Sequence, residues 1–298
     1  GSVLAYAAGA LFGASWGQFY AHTPIVLAAL VEGPARTRAF LEFNSYALLG
    51  VAVTPLLARA LAPVGGDEVT AMHAAAGASL LAASCIAVMG RRMAAAGLAV
   101  GSGARAGLSL AGIRAVAGSS AAWVVLMIGM GAVAFSGMHA FQTSFALKNG
   151  LDFSVFFVAY TLTVVAVRLI FAGLLSRLSP YPAIAAFLAL MSASEALFAA
   201  VAGQPLLYAL AAVLFALGYG LTYPMLTAVA ADEAPAGARD QCLLLVTFAY
   251  YVGGFGFPFV AGWIVVTAGY DALLWTLAAV GAAQCAMALW RWRAGARR

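Results

Sequence analysis

The chain has 298 residues, of which 65% are hydrophobic and only 8% are charged, and its formal net charge is +5. A soluble domain carries about 25% charged residues, and a globular core cannot hide so many apolar side chains from water. The composition therefore excludes a soluble enzyme, a disordered chain, a disulfide-rich secreted module and a nucleic-acid-binding protein, and it indicates that lipid surrounds the folded chain.

Nine apolar segments follow one another along the chain, and each is long enough to cross a bilayer as a helix of about 20 residues. Their apolar runs are continuous rather than alternating, which is typical of membrane helices and not of a membrane β-barrel. We therefore predict an all-α polytopic membrane protein. The predicted spans are residues 3–31, 40–62, 70–90, 120–146, 154–176, 181–201, 205–231, 242–267 and 270–291.

Basic residues are distributed unevenly between the alternate connections of these spans. One side of the membrane receives twelve arginines, whereas the other receives only Arg59 and Lys148. Because positive residues accumulate on the cytoplasmic side of a membrane, we expect the arginine-rich side, which includes the C-terminus, to be cytoplasmic. The twelve residues are Arg36, Arg38, Arg91, Arg92, Arg105, Arg114, Arg177, Arg239, Arg291, Arg293, Arg297 and Arg298.

The connection at residues 91–119 is the one long connection between predicted spans. It is rich in alanine and glycine and carries basic residues, which is typical of a flexible linker. We expect the last three helices of a first half at residues 1–92, a cytoplasmic linker at residues 93–118 and a six-helix second half at residues 119–298.

Two stretches of the chain share a pattern of polar residues at an offset of 201 positions. Residues 32–38 read Glu-Gly-Pro-Ala-Arg-Thr-Arg and residues 233–239 read Glu-Ala-Pro-Ala-Gly-Ala-Arg, so that Glu, Pro, Ala and the final Arg match. Further matches, at an offset of 203, pair Gly50 with Gly253 and Pro55 with Pro258. This repeat places the start of the first copy roughly 80 residues before residue 1, which is room for three spans. We therefore expect a unit of six plus six helices from which the first three are missing.

Residues 218–224, 233–241 and 253–258 look like the tenth and eleventh spans of the major facilitator superfamily. Residues 168–178 resemble a degenerate copy of that family's Gly-x-Leu-x-Asp-Arg loop motif, with Ser176 in the place of the Asp. The resemblance covers essentially the whole chain, from the family's fourth span onward. It implies two helical bundles related by an axis along the membrane normal, and secondary active transport by alternating access.

Three pairs of polar residues have the spacing that places both members on one face of a helix. The resemblance assigns them to the fourth, seventh and tenth spans, which line the central cavity in the family. Such a ring of polar groups around an apolar vestibule suits a small amphipathic solute; alternatively, each polar group bonds to a neighbouring helix. The pairs are Gln18 with His22, His139 with Gln142, and Tyr219 with Tyr223.

Two charged residues lie well inside apolar segments, where a charge is costly enough to suggest a function. The resemblance implies that Arg168 braces the cytoplasmic gate; the alternatives are a snorkelling side chain and contact with substrate. Glu195 lies among apolar residues, which favour a protonated carboxyl and so suit proton coupling; the alternative is an interfacial or structural carboxyl. The loop residues that we add as candidates for gating are Arg177, Glu233 and Arg239.

The sequence thus predicts a secondary transporter in the cell (inner) membrane that moves a small solute. Its expected partners are protons and lipid, and we expect neither enzyme activity nor a cofactor. With one wall of the pocket missing, we expect the chain alone not to transport. Two alternatives stay open: a non-transporting membrane scaffold or assembly factor, and a copper importer with soft ligands. The candidate copper ligands are Met127, Met130, Met138 and His139.

Overall fold

The computed structural model describes residues 2–61, 68–95 and 107–295, and these ranges form a bundle of α-helices without a strand. The prediction of an all-α membrane bundle is confirmed. The helices are α1 (Ser2–Leu30), α2 (Pro34–Leu61), α3 (Glu68–Ala95), α4 (Leu110–Ala117), α5 (Ala121–Lys148), α6 (Ser154–Leu175), α7 (Pro180–Ala199), α8 (Pro205–Glu233) and α9 (Arg239–Gly295). The predicted features outside the described residues are Arg105, Arg297, Arg298, residues 96–106 of the linker, and the side-chain environments of Gly50, Pro55 and Arg59.

The helices begin and end close to the predicted spans, because the length of each apolar run sets the length of helix that lipid can cover. Within the described residues, six helices are long and apolar enough to cross a membrane, and one of them, α9, contains two predicted spans. α9 breaks at Gly269, whose φ of 88° and ψ of 176° are not helical. We call residues 239–268 and 270–295 the first and second limbs of α9.

α4 is a short helix inside the predicted linker, and the span analysis does not predict it. Ser109 caps its first turn, because the Ser109 Oγ accepts a hydrogen bond from the Gly112 N–H at 3.0 Å. Gln241, at the start of α9, accepts a hydrogen bond from the Ser109 N–H at 2.8 Å and donates one to the Gly107 carbonyl at 3.1 Å. The end of the linker is therefore attached to α9.

The main core lies between α5, α7, α8 and the two limbs of α9, with α6 packed on α8. Glycines bring the helix backbones close together, as is common in membrane bundles. A Cβ at Gly253, in the first limb of α9, would overlap the carbonyl oxygen of Gly129 in α5. A Cβ at Gly220 in α8 would lie 2.6 Å from a methyl carbon of Val164 in α6.

The helices before the linker pack against those after it through α1 and α2. α2 lies against α6 and α8, and α1 lies against α9 and α8. Phe40 and Leu41 of α2 are fully buried in these contacts. α3 packs against α2, but every side chain from residue 73 to residue 92 is exposed. The first three helices therefore leave one face of the bundle uncovered in the described part of the chain.

Candidate central site

Aromatic side chains from five helices meet in the middle of the bundle. On α8, Tyr219 stacks on Phe135 of α5 with ring centroids 4.8 Å apart, and Tyr223 lies 5.0 Å from Tyr250 of α9. The two α8 tyrosines are one helical turn apart and therefore face the same way. We call the set of Tyr20, Tyr160, Tyr219, Tyr223 and Tyr250 the tyrosine cluster. It includes residues from both sides of the linker, since Tyr20 belongs to α1.

Arg168 of α6 adds a charge to the tyrosine cluster. Its side chain is only 3% exposed, and its Nε donates a hydrogen bond to the carbonyl oxygen of Gly220 at 2.6 Å. The close approach of α6 to α8 at Gly220 brings that carbonyl within reach. Four members of the cluster, on α1, α6 and α8, lie within electrostatic range of the guanidinium: Tyr20, Tyr160, Tyr219 and Tyr223.

The predicted pair His139 and Gln142 separates into two environments. His139 lies beside the tyrosine cluster, with its ring 4.8 Å from Tyr160 and its Nδ1 3.0 Å from the Phe135 carbonyl oxygen. Gln142 is 2% exposed, and its Oε1 accepts a hydrogen bond from the Tyr208 hydroxyl at 3.0 Å. Gln142 therefore joins α5 to α8 next to the core, whereas His139 borders the central site.

The predicted pair Gln18 and His22 lies on α1, two residues either side of Tyr20. Gln18 is exposed and His22 is half-buried. The His22 Nδ1 lies 2.9 Å from the Gln18 carbonyl oxygen, so the two residues are linked within their own helix. Nearby, the Tyr20 carbonyl oxygen accepts a hydrogen bond of 3.5 Å from the Thr247 hydroxyl, which ties α1 to α9.

An ion pair joins the two sides of the linker at the end of the bundle where α1 and α8 terminate. Arg36 of α2 pairs with Asp232 of α8, and the Arg36 side chain is only 2% exposed. Arg36 also donates hydrogen bonds to the carbonyl oxygens of Val31 and Ala28 at 3.1 Å and 3.3 Å. It therefore both caps the last turn of α1 and holds α2 against α8. The sequence analysis did not identify Asp232, because its only distinguishing feature is a carboxylate at the end of a helix.

Arg239 repeats the capping contact of Arg36 in the second copy of the pattern. The Arg239 Nε donates to the carbonyl oxygen of Ala231, eight residues earlier, as Arg36 does to Ala28. The structural equivalent of Arg239 is therefore Arg36 and not Arg38, which the sequence pattern aligned with it. Arg38 instead pairs with Glu42 on its own helix at 2.7 Å.

Glu233 takes part in a second polar cluster at the same end, within α7, α8 and the second limb of α9. Its carboxylate accepts hydrogen bonds from the Tyr181 hydroxyl at 2.5 Å and from the Arg291 Nη2 at 2.8 Å. The sequence analysis did not identify Tyr181 and named Arg291 only among the cytoplasmic arginines, because each lies near the edge of a span where polar residues are ordinary. Arg177 is exposed and forms no ion pair within the ranges that the structure covers.

The opposite end of the bundle has fewer charges. Asp152, just before α6, accepts a hydrogen bond from the Ser154 N–H at 2.8 Å, and this bond lowers the pKa of its carboxyl. Lys148 lies 5.2 Å from the ring centroid of Tyr270. No ion pair at this end is found in the described residues, so the ionic contact between α2 and α8 lies at the arginine-rich end alone.

Glu195 lies apart from the tyrosine cluster, between α7 and the second limb of α9. Its residue is 0% exposed, and neither carboxyl oxygen has a hydrogen-bond partner in the described part of the chain. A Cβ at Gly281 would lie 3.2 Å from the Glu195 Oε2, so α9 passes directly over the carboxyl. Gln284, one turn further along α9, donates to the Met127 carbonyl at 2.6 Å, and its own Oε1 is unpartnered there as well.

The candidate copper ligands are spread through the core of α5. Met127 and Met138 are buried, and the Met138 Sδ lies 3.9 Å from the amide nitrogen of Gln142. No group of three His, Cys, Asp or Glu side chains suited to a metal ion occurs among the residues that the structure describes. His139 has the aromatic neighbours described above.

A comparison with protein families finds a match. The family described as Major Facilitator Superfamily matches residues 1–258, which covers α1 to α8 and much of the first limb of α9. A comparison with curated proteins finds none that matches the chain.

Proposed function

Because the chain belongs to the Major Facilitator Superfamily, a family of membrane transporters, we propose that it moves a small solute across the membrane by alternating access, with coupling to protons. The observation that carries the proposal is the position of the tyrosine cluster and Arg168. They lie between helices from both sides of the linker, where a rocking motion of two bundles would expose a solute first to one side and then to the other.

We infer that the two moving parts are residues 1–92 and 119–298, joined by the linker at 93–118. The ion pair between Arg36 and Asp232 then acts as a gate contact, since it connects α2 of one part with α8 of the other. The cluster around Glu233 lies within the second part alone and holds it together. The bias of arginines supports a cell (inner) membrane location with this gate and the C-terminus on the cytoplasmic side.

Glu195 is our candidate for proton coupling. A buried carboxylate without a partner is unfavourable. Uptake and release of a proton by Glu195 would therefore change the stability of the contact between α7 and α9. Gly281 of α9 lies at this contact, since a Cβ there would be 3.2 Å from the Glu195 Oε2. The carboxyl contacts neither Arg168 nor the tyrosine cluster in any described interaction, so coupling would pass through movement of α7 and α9 rather than through direct contact with solute.

A further three-helix segment is the partner that we expect for α1 and α3. Gly218 of α8 is closely covered by α7, since a Cβ there would lie 2.6 Å from the Met191 N, whereas no described atom lies within 4 Å of a Cβ at Gly17, its counterpart in α1 at an offset of 201 residues. Similarly, the second limb of α9 packs on α5 and α7, whereas α3 is exposed. Three helices equivalent to α5, α6 and α7 would cover both positions and complete the wall of the central site.

Proteoliposomes that contain a trapped pH-sensitive dye test this function. The chain is reconstituted alone and together with the membrane segment that accompanies it in its native membrane, and small organic solutes are added one at a time under a pH gradient. We expect solute-dependent proton movement only from the complete unit. Flux from the chain alone would contradict the need for a further segment, and absence of flux for every solute in both preparations would contradict the transporter.

The exposed face of α3 also favours a second candidate function, a membrane scaffold that binds another protein and moves no solute. A stable partner that copurifies through α3, with no solute flux in the reconstituted complex, would support it. The two candidates differ in the central site: substitutions in the tyrosine cluster impair a transporter and leave a scaffold unaffected.

A further inference from the structure

The guanidinium of Arg168 is a buried cation whose charge has no protein partner in the described residues. One of its N–H groups, at Nε, is bound to the Gly220 carbonyl. No hydrogen bond or ion pair is formed by Nη1 or Nη2 within the described ranges. A charge taken out of water is unfavourable unless it is paired, so the site is electrostatically incomplete.

The surroundings of Arg168 supply hydroxyl groups and rings but no negative charge. The groups within electrostatic range are tyrosines on α1, α6, α8 and α9. The nearest carboxylate further along α8, Asp232, lies roughly 18 Å from Gly220 at 1.5 Å per residue, and it is engaged by Arg36. The missing negative charge must therefore come from outside these residues.

We propose that the central site binds an organic anion, namely a small monocarboxylate with an aromatic or apolar body; this rests on the proposed function, of which it names the substrate class. The bond from Nε to Gly220 fixes the guanidinium and leaves its two terminal nitrogens for a carboxylate, a geometry that arginine recognises with paired hydrogen bonds. The rings of Tyr160, Tyr219 and Tyr223 supply apolar groups for the body, and the Tyr160 hydroxyl is a further donor, whereas Tyr250 and Thr227 engage the hydroxyls of Tyr219 and Tyr223.

Binding of radiolabelled benzoate to the purified full chain in detergent tests the proposal. We expect saturable binding that unlabelled benzoate displaces and that benzamide, its neutral isostere, and benzylamine, a cation of similar size, displace at least about tenfold less well. Arg168→Gln should weaken benzoate binding by about tenfold or more, and Arg168→Lys less, because lysine keeps the charge and loses the paired geometry. The matched control Arg114→Gln removes an exposed arginine from α4 and should leave affinity within about twofold.

A conservative variant keeps the test decisive if Arg168→Gln does not fold. Tyr160→Phe retains the ring and removes the hydroxyl, and it should weaken benzoate binding by about two- to fivefold with little change in the unfolding temperature. Equal displacement by benzamide, or full benzoate affinity in Arg168→Gln, would overturn the anion assignment, as would absence of benzoate binding while other solutes are transported. Absence of flux for all solutes in the complete unit would instead overturn the transporter itself.

Discussion

A side chain at Gly253 has no room, because the backbone of α9 lies there against the Gly129 carbonyl of α5. We expect Gly253→Ala to lower the free energy of unfolding by about 1–3 kcal/mol, the usual cost of overpacking. Gly256→Ala is the matched control one turn away, where no atom of the described residues lies within 4 Å of a Cβ. There alanine should be neutral or slightly stabilising, since it favours helix. Thermal unfolding in detergent measures both, and equal destabilisation of the two variants would show that the contact with α5 is not the cause.

Glu195 provides a second test at the level of one side chain. Glu195→Gln keeps the shape of the side chain and removes its ability to exchange a proton, so we expect unchanged solute binding and loss of solute-dependent proton movement in the complete unit. Glu195→Ala, by contrast, leaves a cavity beside Gly281 and should lower the free energy of unfolding by about 1–2 kcal/mol. Normal proton movement in Glu195→Gln would remove this residue from the coupling mechanism and leave it a structural carboxyl.

Site residues whose charge is unfavourable in lipid could be predicted from the sequence. The helix that a polar side chain faces could not. Arg168 and Glu195 stand out in the sequence because charges inside spans are unfavourable, and both are buried in the structure. The different surroundings of His139 and Gln142 could not be predicted from their spacing. α5 is buried on most sides, so helical periodicity does not identify which of its neighbours each polar side chain meets.

Between elements, the contact of α2 with α8 depends on a buried arginine and a half-exposed aspartate. Asp232→Asn leaves Arg36 buried without its partner, and because Asp232 is 46% exposed we expect a loss of only about 1 kcal/mol, together with easier separation of α2 from α8. The control Glu42→Gln breaks the exposed pair within α2 and should cost no more than about 0.5 kcal/mol. Thermal unfolding and crosslinking of cysteines placed in α2 and α8 measure the two effects. Similar behaviour of the two variants would argue against a gate role for Asp232.

The helices were largely predictable, because the length of an apolar run determines the length of a membrane helix. The span predicted at residues 205–231 is observed as Pro205–Glu233, and that at 154–176 as Ser154–Leu175. α4 was not predicted because eight amphipathic residues fall far below the length of a span. The sequence pattern aligned Arg239 with Arg38, two residues from its structural equivalent Arg36. The connection between the two helices differs in length between the copies, whereas the capping contact of the arginine is the same.

On the scale of the whole molecule, the described part of the chain encloses α8 and α9, which hold the second copy of the repeated pattern, and leaves α3, which follows the first copy, exposed. Cys85 lies on the exposed α3, and Cys242 is buried near the start of α9. In the purified chain we expect a lipophilic maleimide to label Cys85 and to spare Cys242. In the native membrane the proposed three-helix segment should protect Cys85, and equal labelling of Cys85 in both preparations would mean that no such segment covers α3.

The last two residues of α8 are carboxylates that serve different neighbours. Asp232 reaches α2, whereas Glu233 reaches α7 and α9. In the alternating access proposed above, opening of the first contact would leave the second to anchor the tip of α8, so that α7, α8 and α9 would turn together about the central tyrosines. A small opening at one face of the membrane would thereby become a tilt at the other.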